Sequence, residues 1–132
     1  MGFDGRRLTM KKVADTPIEG ELIRSEGAIS FLGDVDPDTA IIKDRKNNLY
    51  GETIKDKVFT FPVGKGSTVG SYIMYRLYKN GIAPRAILNE RSETIVAVGA
   101  VISDIPLIDR VAIKELKTGQ HVRIVGGTIE VL

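Results

Sequence analysis

One segment constrains this chain more than any other: Val58-Phe-Thr-Phe-Pro-Val63 runs straight into Gly64-Lys-Gly-Ser-Thr68, and that into Val69-Gly-Ser71. Six nearly unbroken apolar residues suit a strand buried on both faces. Val69, Ile73 and Leu77 then recur every four residues, as on one face of a helix. A glycine-rich loop is thereby placed at a helix N-terminus, where unpaired backbone N–H groups and the positive end of the helix dipole favour an anion or a developing oxyanion. Two readings fit that spacing. One is a catalytic or phosphate-binding loop centred on Ser67; the other is a tight strand-to-helix connection with Ser67 or Thr68 as N-cap. The segment is not a P-loop, because Lys65 precedes the second glycine, and it lacks the spaced glycines of a dinucleotide fingerprint.

At 132 residues the chain has the length of one domain, read here as residues 1–132. Residues 1–7 carry charge with no apolar run behind them, which reads as a loose leader rather than a secretory signal. No stretch approaches the roughly 20 apolar residues that span a bilayer. A cytoplasmic protein is expected, with no membrane association. The net charge is +2 with both signs spread along the chain, and only four Tyr and four Phe are available for stacking. Nucleic acid is therefore not an expected partner. The chain has no cysteine, so it cannot itself hold an iron–sulfur cluster or a thiolate zinc site.

Apolar runs at Leu22-Ile23, Ala40 to Ile42, Val58 to Val63, Ala86 to Leu88 and Leu107 to Ile113 are separated by Gly, Pro and Asn breaks, the pattern of a strand-rich domain. His121-Val-Arg-Ile-Val125 and Thr128-Ile-Glu-Val-Leu132 alternate around Gly126-Gly127, predicting a hairpin with Val122, Ile124, Ile129 and Val131 inward. The helix after Ser67 is expected to close near Arg76 and Lys79 and stop at Asn80-Gly81. A second helix is read from an N-cap at Ser92, with Glu93 behind it, to about Ser103. The elements together predict an α/β domain: a mixed sheet or small barrel-like core with flanking helices.

Three other features carry polar chemistry. Asp34, Asp36 and Asp38 read as a turn, since they lack the spacing and closing glutamate of a calcium loop. Lys43, Arg45 and Lys46 read as a solvated loop. His121, the single histidine, alternates with Arg123 on the solvent side of the hairpin. It would have to be the base of any Ser–His–Asp triad, and it reads as a surface residue.

Taken in order, Ile29-Ser-Phe-Leu-Gly-Asp-Val-Asp-Pro37, Ile42-Lys-Asp-Arg45, Leu49-Tyr-Gly51, Val58 to Ser71 and Gly81-Ile-Ala-Pro-Arg-Ala-Ile87 resemble the aconitase X swivel-domain family over roughly residues 18 to 110. The most diagnostic pieces are Phe61-Pro-Val-Gly-Lys-Gly-Ser67 with Gly70-Ser71, and Gly33-Asp34-Val35-Asp36-Pro37. The resemblance implies a swivelling β/β/α domain that closes over a large aconitase X-type subunit holding a [4Fe–4S] cluster. It implies a hydro-lyase small subunit that is inactive alone. Its implied reaction is the loss of water from (R)-5-phosphomevalonate to give trans-anhydromevalonate 5-phosphate, in a modified mevalonate pathway of archaea. Open iron would act as a Lewis acid on the departing hydroxyl, and a serine alkoxide, matched by Ser67, would remove the neighbouring proton. Lys65, Gly66, Thr68 and Ser71 would help to hold the anionic substrate and support the alkoxide. One departure stands in Asp44-Arg-Lys-Asn-Asn-Leu-Tyr-Gly51, where relatives are expected to carry a histidine near Asn47 or Asn48. The alternatives are a related dehydratase acting on hydroxyproline, a non-catalytic module that docks an anion or partner through the loop, and a phosphocarrier. The position of His121 argues against the last.

Overall fold

The structure is a computed structural model that describes residues 16–132 and, of the chain before them, the backbone of Gly2–Asp4 and Arg6–Arg7. The elements in chain order are β1 (Gly2–Asp4), β2 (Arg6–Arg7), β3 (Ile18–Arg24), α1 (Phe31–Asp34), β4 (Val58–Phe61), α2 (Val69–Lys79), β5 (Ala86–Asn89), α3 (Thr94–Ile102), β6 (Leu107–Asp109), β7 (His121–Val125) and β8 (Thr128–Val131), with a 3-10 turn at Ile113–Glu115 in the connection from β6 to β7. The strands form one sheet in the order β1-β8-β7-β3-β4-β5-β6-β2. Strands β3 to β6 are parallel neighbours, whereas β1, β8, β7 and β3 pair antiparallel, as do β2 and β6. The fold is α/β.

Strand β3 joins the two halves of the sheet. Residues Ile18 to Glu21 pair with β7, and Leu22 to Arg24 pair with β4. Side chains alternate across a strand, so the parallel strands feed two separate cores. Ile23, Phe59, Phe61, Ile87 and Leu107 point to a layer closed by Phe31, Met74, Leu77, Val96 and Ala100 of the three helices. Their neighbours Leu22, Val58, Ala86, Leu88 and Ile108 point the other way, against Val122, Ile124 and Ile129 of the hairpin and against Val111, Ile113 and Leu116. Layers of helix, parallel sheet and curled antiparallel sheet make the expected β/β/α arrangement with a barrel-like core. All four residues of β4 are buried, Thr60 included, as its nearly unbroken apolar run predicts.

Most local expectations hold. The hairpin turns at Gly126-Gly127, with Gly126 at φ 60°; Val122, Ile124 and Ile129 are buried and Val131 packs against them. Helix α2 ends in a Schellman motif: Gly81 N–H donates to the Tyr78 carbonyl, Ile82 N–H donates to the Leu77 carbonyl, and Gly81 has φ 71°. Among the described residues no helix is long and apolar enough to cross a membrane.

Five details differ. The inward face of α2 is centred on Gly70, Met74 and Leu77, with Ile73 packed at its edge; Val69, expected on that face, lies exposed at the rim. Ser92 does not cap α3, because its hydroxyl donates to Asn89 Oδ1 and its N–H to Asp109 Oδ1; Glu93 takes the cap one residue later. The run Ala40 to Ile42 makes only isolated bridges, to Val35 and Thr53. The strand at Leu107 stops at Asp109, where Arg110 takes φ 58°. The leader expected to be loose over residues 1–7 contributes β1 and β2, which pair along the two edges of the sheet. Edge strands leave backbone N–H and C=O groups unpaired, and short segments of this kind satisfy them.

Phe31, Phe59 and Phe61 meet with ring centroids 4.9 to 6.1 Å apart, anchoring the first turn of α1 on β4. Phe59 is fully buried. Replacing it with alanine should destabilise the protein by about 3–5 kcal/mol, read as a lower midpoint in urea unfolding.

Candidate active site

Because β3, β4 and β5 are parallel, the helices that follow them start at the same end of the sheet, the end where open α/β sheets bind ligands. Their N-termini are not equivalent. In α1 the Ser30 hydroxyl accepts from Gly33 N–H at 3.3 Å, and in α3 the Glu93 carboxylate accepts from Ile95 and Val96 N–H at 2.9 and 2.7 Å. In α2 the Ser67 hydroxyl accepts from Val69 N–H at 3.1 Å, while the Thr68 side chain makes no cap bond. The N–H groups of Gly66, Ser67 and Thr68 have no hydrogen-bond partner among the described residues.

Gly64 to Thr68 is clamped between the other two caps. Ile29 N–H donates to the Val63 carbonyl and the Ile29 carbonyl accepts from Lys65 N–H, at 3.1 and 2.9 Å, stitching the loop to the segment that enters α1. A methyl group on Gly66 would lie 2.5 Å from Ser30 Oγ; one on Gly64 would lie 2.4 Å from Val96 Cγ2 and 2.6 Å from a Glu93 carboxylate oxygen. Gly66 also adopts φ 95°, in the left-handed region where a side chain is strained. Both glycines are thus demanded by contact, and the second by conformation as well.

The structure brings Lys65, Gly66, Ser67 and Thr68 together on this exposed loop. An N–H aimed at Ser67 Oγ and the α2 N-terminus beneath it favour negative charge on that oxygen. The same bond also serves a plain helix cap. Ser71 stands apart. It is buried, and its hydroxyl donates at 2.8 Å to the Ile95 carbonyl, tying α2 to α3. The expectation that it contacts substrate is not supported by this geometry, since its proton is committed to the helix pair.

The remaining clusters resolve into structure. Asp34 is buried and one of its oxygens accepts from Ser30 N–H at 2.8 Å; Asp36 accepts from Asp38 N–H in an Asx turn; Asp38 pairs with Arg76 at 2.7 Å. The turn reading of these carboxylates holds. His121 is exposed at the start of β7, far in register from the serine loop. Sequence reasoning passed over Ser30 and gave Glu93 only a place behind a cap at Ser92, yet these are the residues that brace the loop. Both do carry the signature of an N-cap, a polar side chain just ahead of an apolar run.

Comparison with known proteins follows the same outline. The aconitase X swivel-domain profile matches residues 7–131. The chain belongs to the aconitase X swivel-domain family. The phosphomevalonate dehydratase small subunit of Thermococcus gammatolerans is 50% identical over 128 residues, covering 96% of this chain and 98% of that one. The protein of the same name from Pyrococcus horikoshii is 51% identical over 128 residues, covering 96% of each. The crystal structure of Thermococcus kodakaraensis aconitase X in its holo form superposes with a TM-score of 0.92 at 46% identity, covering 100% of this chain and 98% of that chain.

The clamp on Gly66 is open to test. Gly66→Ala should cost about 1–3 kcal/mol of stability through the left-handed backbone alone. It should also lower activity by far more than that loss of stability explains, because the contact with Ser30 forces Ser67 to move; thermal melting alongside turnover of the assembled enzyme separates the two effects.

Proposed function

We propose that this chain is the small subunit of a phosphomevalonate dehydratase, contributing Ser67 as the proton acceptor in the loss of water from (R)-5-phosphomevalonate. The observation that carries the reading is the Ser67 hydroxyl at a helix N-terminus where the N–H groups of Gly66, Ser67 and Thr68 have no partner among the described residues, in a chain about half identical along nearly its whole length to proteins of that name. The names of these relatives favour phosphomevalonate over hydroxyproline as the substrate. They also favour an enzyme subunit over a passive docking module.

In this reading Ser67 Oγ takes the proton from the carbon next to the one bearing the hydroxyl. The electron pair of that C–H bond becomes the second bond of the new C=C, the C–O bond breaks, and the departing hydroxide leaves with the equivalent of that proton as water. A serine hydroxyl in water is a feeble base, so its conjugate oxygen needs support. The Val69 N–H, the free amides of Gly66 and Thr68, and the Lys65 ammonium supply it from within the loop. Such groups act strongly only where water is excluded. Ser67 and its neighbours are exposed in the chain alone, which fits a site closed by a larger partner subunit.

A [4Fe–4S] cluster finds no ligands here. The chain lacks cysteine, and the described residues contain no group of three side chains able to hold a metal ion. We assign any such cluster, and the handling of the departing hydroxide, to the partner.

The test is dehydration of phosphomevalonate under anaerobic conditions by this chain assembled with its larger partner. Ser67→Ala should lower kcat by roughly 10²–10⁴-fold in complexes that assemble to the same extent. Near-normal turnover by that variant would reduce Ser67 to a helix cap and send the search for the proton acceptor elsewhere.

A further inference from the structure

Beside the serine loop lies an open cleft of about 260 Å³ of which the reaction as derived above uses Lys65 alone. Lys65 forms one wall, the Gly27-Ala28 backbone a second, and the turn from Asp44 to Asn48 a third. The walls are fixed. Asn48 accepts from Glu26 N–H at 2.8 Å and donates to the Arg24 carbonyl at 2.9 Å, and Asn47 donates to Ser25 Oγ at 2.8 Å while accepting from Leu49 N–H at 2.7 Å. The two asparagines therefore staple the turn onto the chain leaving β3, with every polar group of both side chains but one N–H of each accounted for.

Donors without a partner line this fixed frame. The N–H groups of Gly27 and Ala28 have no hydrogen-bond partner among the described residues. Lys46 and Lys65 both line the cleft, and neither ammonium is ion-paired among the described residues. Two carboxylates share the rim. Asp44 is engaged in its own turn, accepting from Lys46 N–H at 3.0 Å, and Glu26 is exposed to solvent. Neither neutralises the lysines by contact. Two ammonium groups and a pair of backbone donors around one hollow form a receptor for a compact dianion with several terminal oxygens. The volume far exceeds the roughly 30 Å³ share of one water, so a phosphoryl group with its first carbons fits.

We propose that this cleft receives the phosphate end of the substrate, with Lys46 joining Lys65 as its cations. The inference rests on the dehydratase reading and extends it. In 5-phosphomevalonate the phosphate sits on the fifth carbon, away from the carbons that give up the proton and the hydroxyl. Lys65, two residues before Ser67, links the two ends of the site. Lys46 is then a specificity-determining residue that no reading of the loop alone would reach.

The test uses the assembled enzyme with Lys46→Gln and Lys46→Arg, each checked for unchanged assembly and melting temperature. Losing one charge-assisted contact should raise KM for phosphomevalonate roughly 10- to 100-fold, with the effect on KM rather than kcat. The inhibition constant of inorganic phosphate should rise in parallel, and arginine should restore both. An unchanged KM and an unchanged phosphate inhibition in Lys46→Gln would overturn the proposal while leaving Ser67 untouched. If the unsubstituted complex fails to dehydrate phosphomevalonate, the dehydratase reading falls and calorimetric titration with inorganic phosphate still decides the cleft: binding lost in Lys46→Gln supports it, and equal binding overturns it.

Discussion

Everything in this molecule hangs on the double pairing of β3. Its first four residues belong to an antiparallel ladder with β7, and its last three to a parallel ladder with β4. As a central strand it offers one edge to each ladder, and its alternating side chains reach the apolar cores on both faces of the sheet. Leu22 and Ile23, adjacent in sequence, are anchors for different cores. A one-residue slip of this strand would exchange them and turn both sets of side chains to the wrong face. The parallel half in turn obliges α1, α2 and α3 to begin at a common end of the sheet, which is why the serine loop has helix caps for neighbours.

The serine loop is rigid for reasons that lie mostly outside it. Its own sequence is glycine-rich, and glycine by itself brings freedom rather than order. Order comes from the two backbone bonds of Ile29 and from the caps of α1 and α3, which leave no room at Gly64 or Gly66. A group that must hold a reactive oxygen in place is best set on such a frame, because little reorganisation remains to be done when charge develops.

Much of this was legible from residues alone, and the reasons are local. An apolar run followed by glycines and a four-residue repeat marks β4, its loop and α2. Alternation around Gly126-Gly127 marks the hairpin, and Asn80-Gly81 marks a helix stop. What escaped depended on contacts between distant segments. The cap of α3 shifts from Ser92 to Glu93 because Asn89 and Asp109 claim Ser92. Ser71 looks like part of the loop in sequence, yet the α2/α3 contact takes its hydroxyl. Lys46 reads as one cation in a solvated run until the two asparagine staples bring its turn alongside Lys65.

The two glycines that admit no methyl group stand on either side of Lys65, whose side chain is exposed. Along this stretch the backbone path and the chemistry are therefore written at separate positions. Gly64 and Gly66 hold the path and tolerate nothing else, whereas residue 65 can be exchanged without disturbing it. A loop built this way gives evolution a single adjustable letter beside the oxygen proposed to take the proton: the charge, reach or hydrogen-bonding of that one side chain can be retuned to a different substrate while the serine stays where it is.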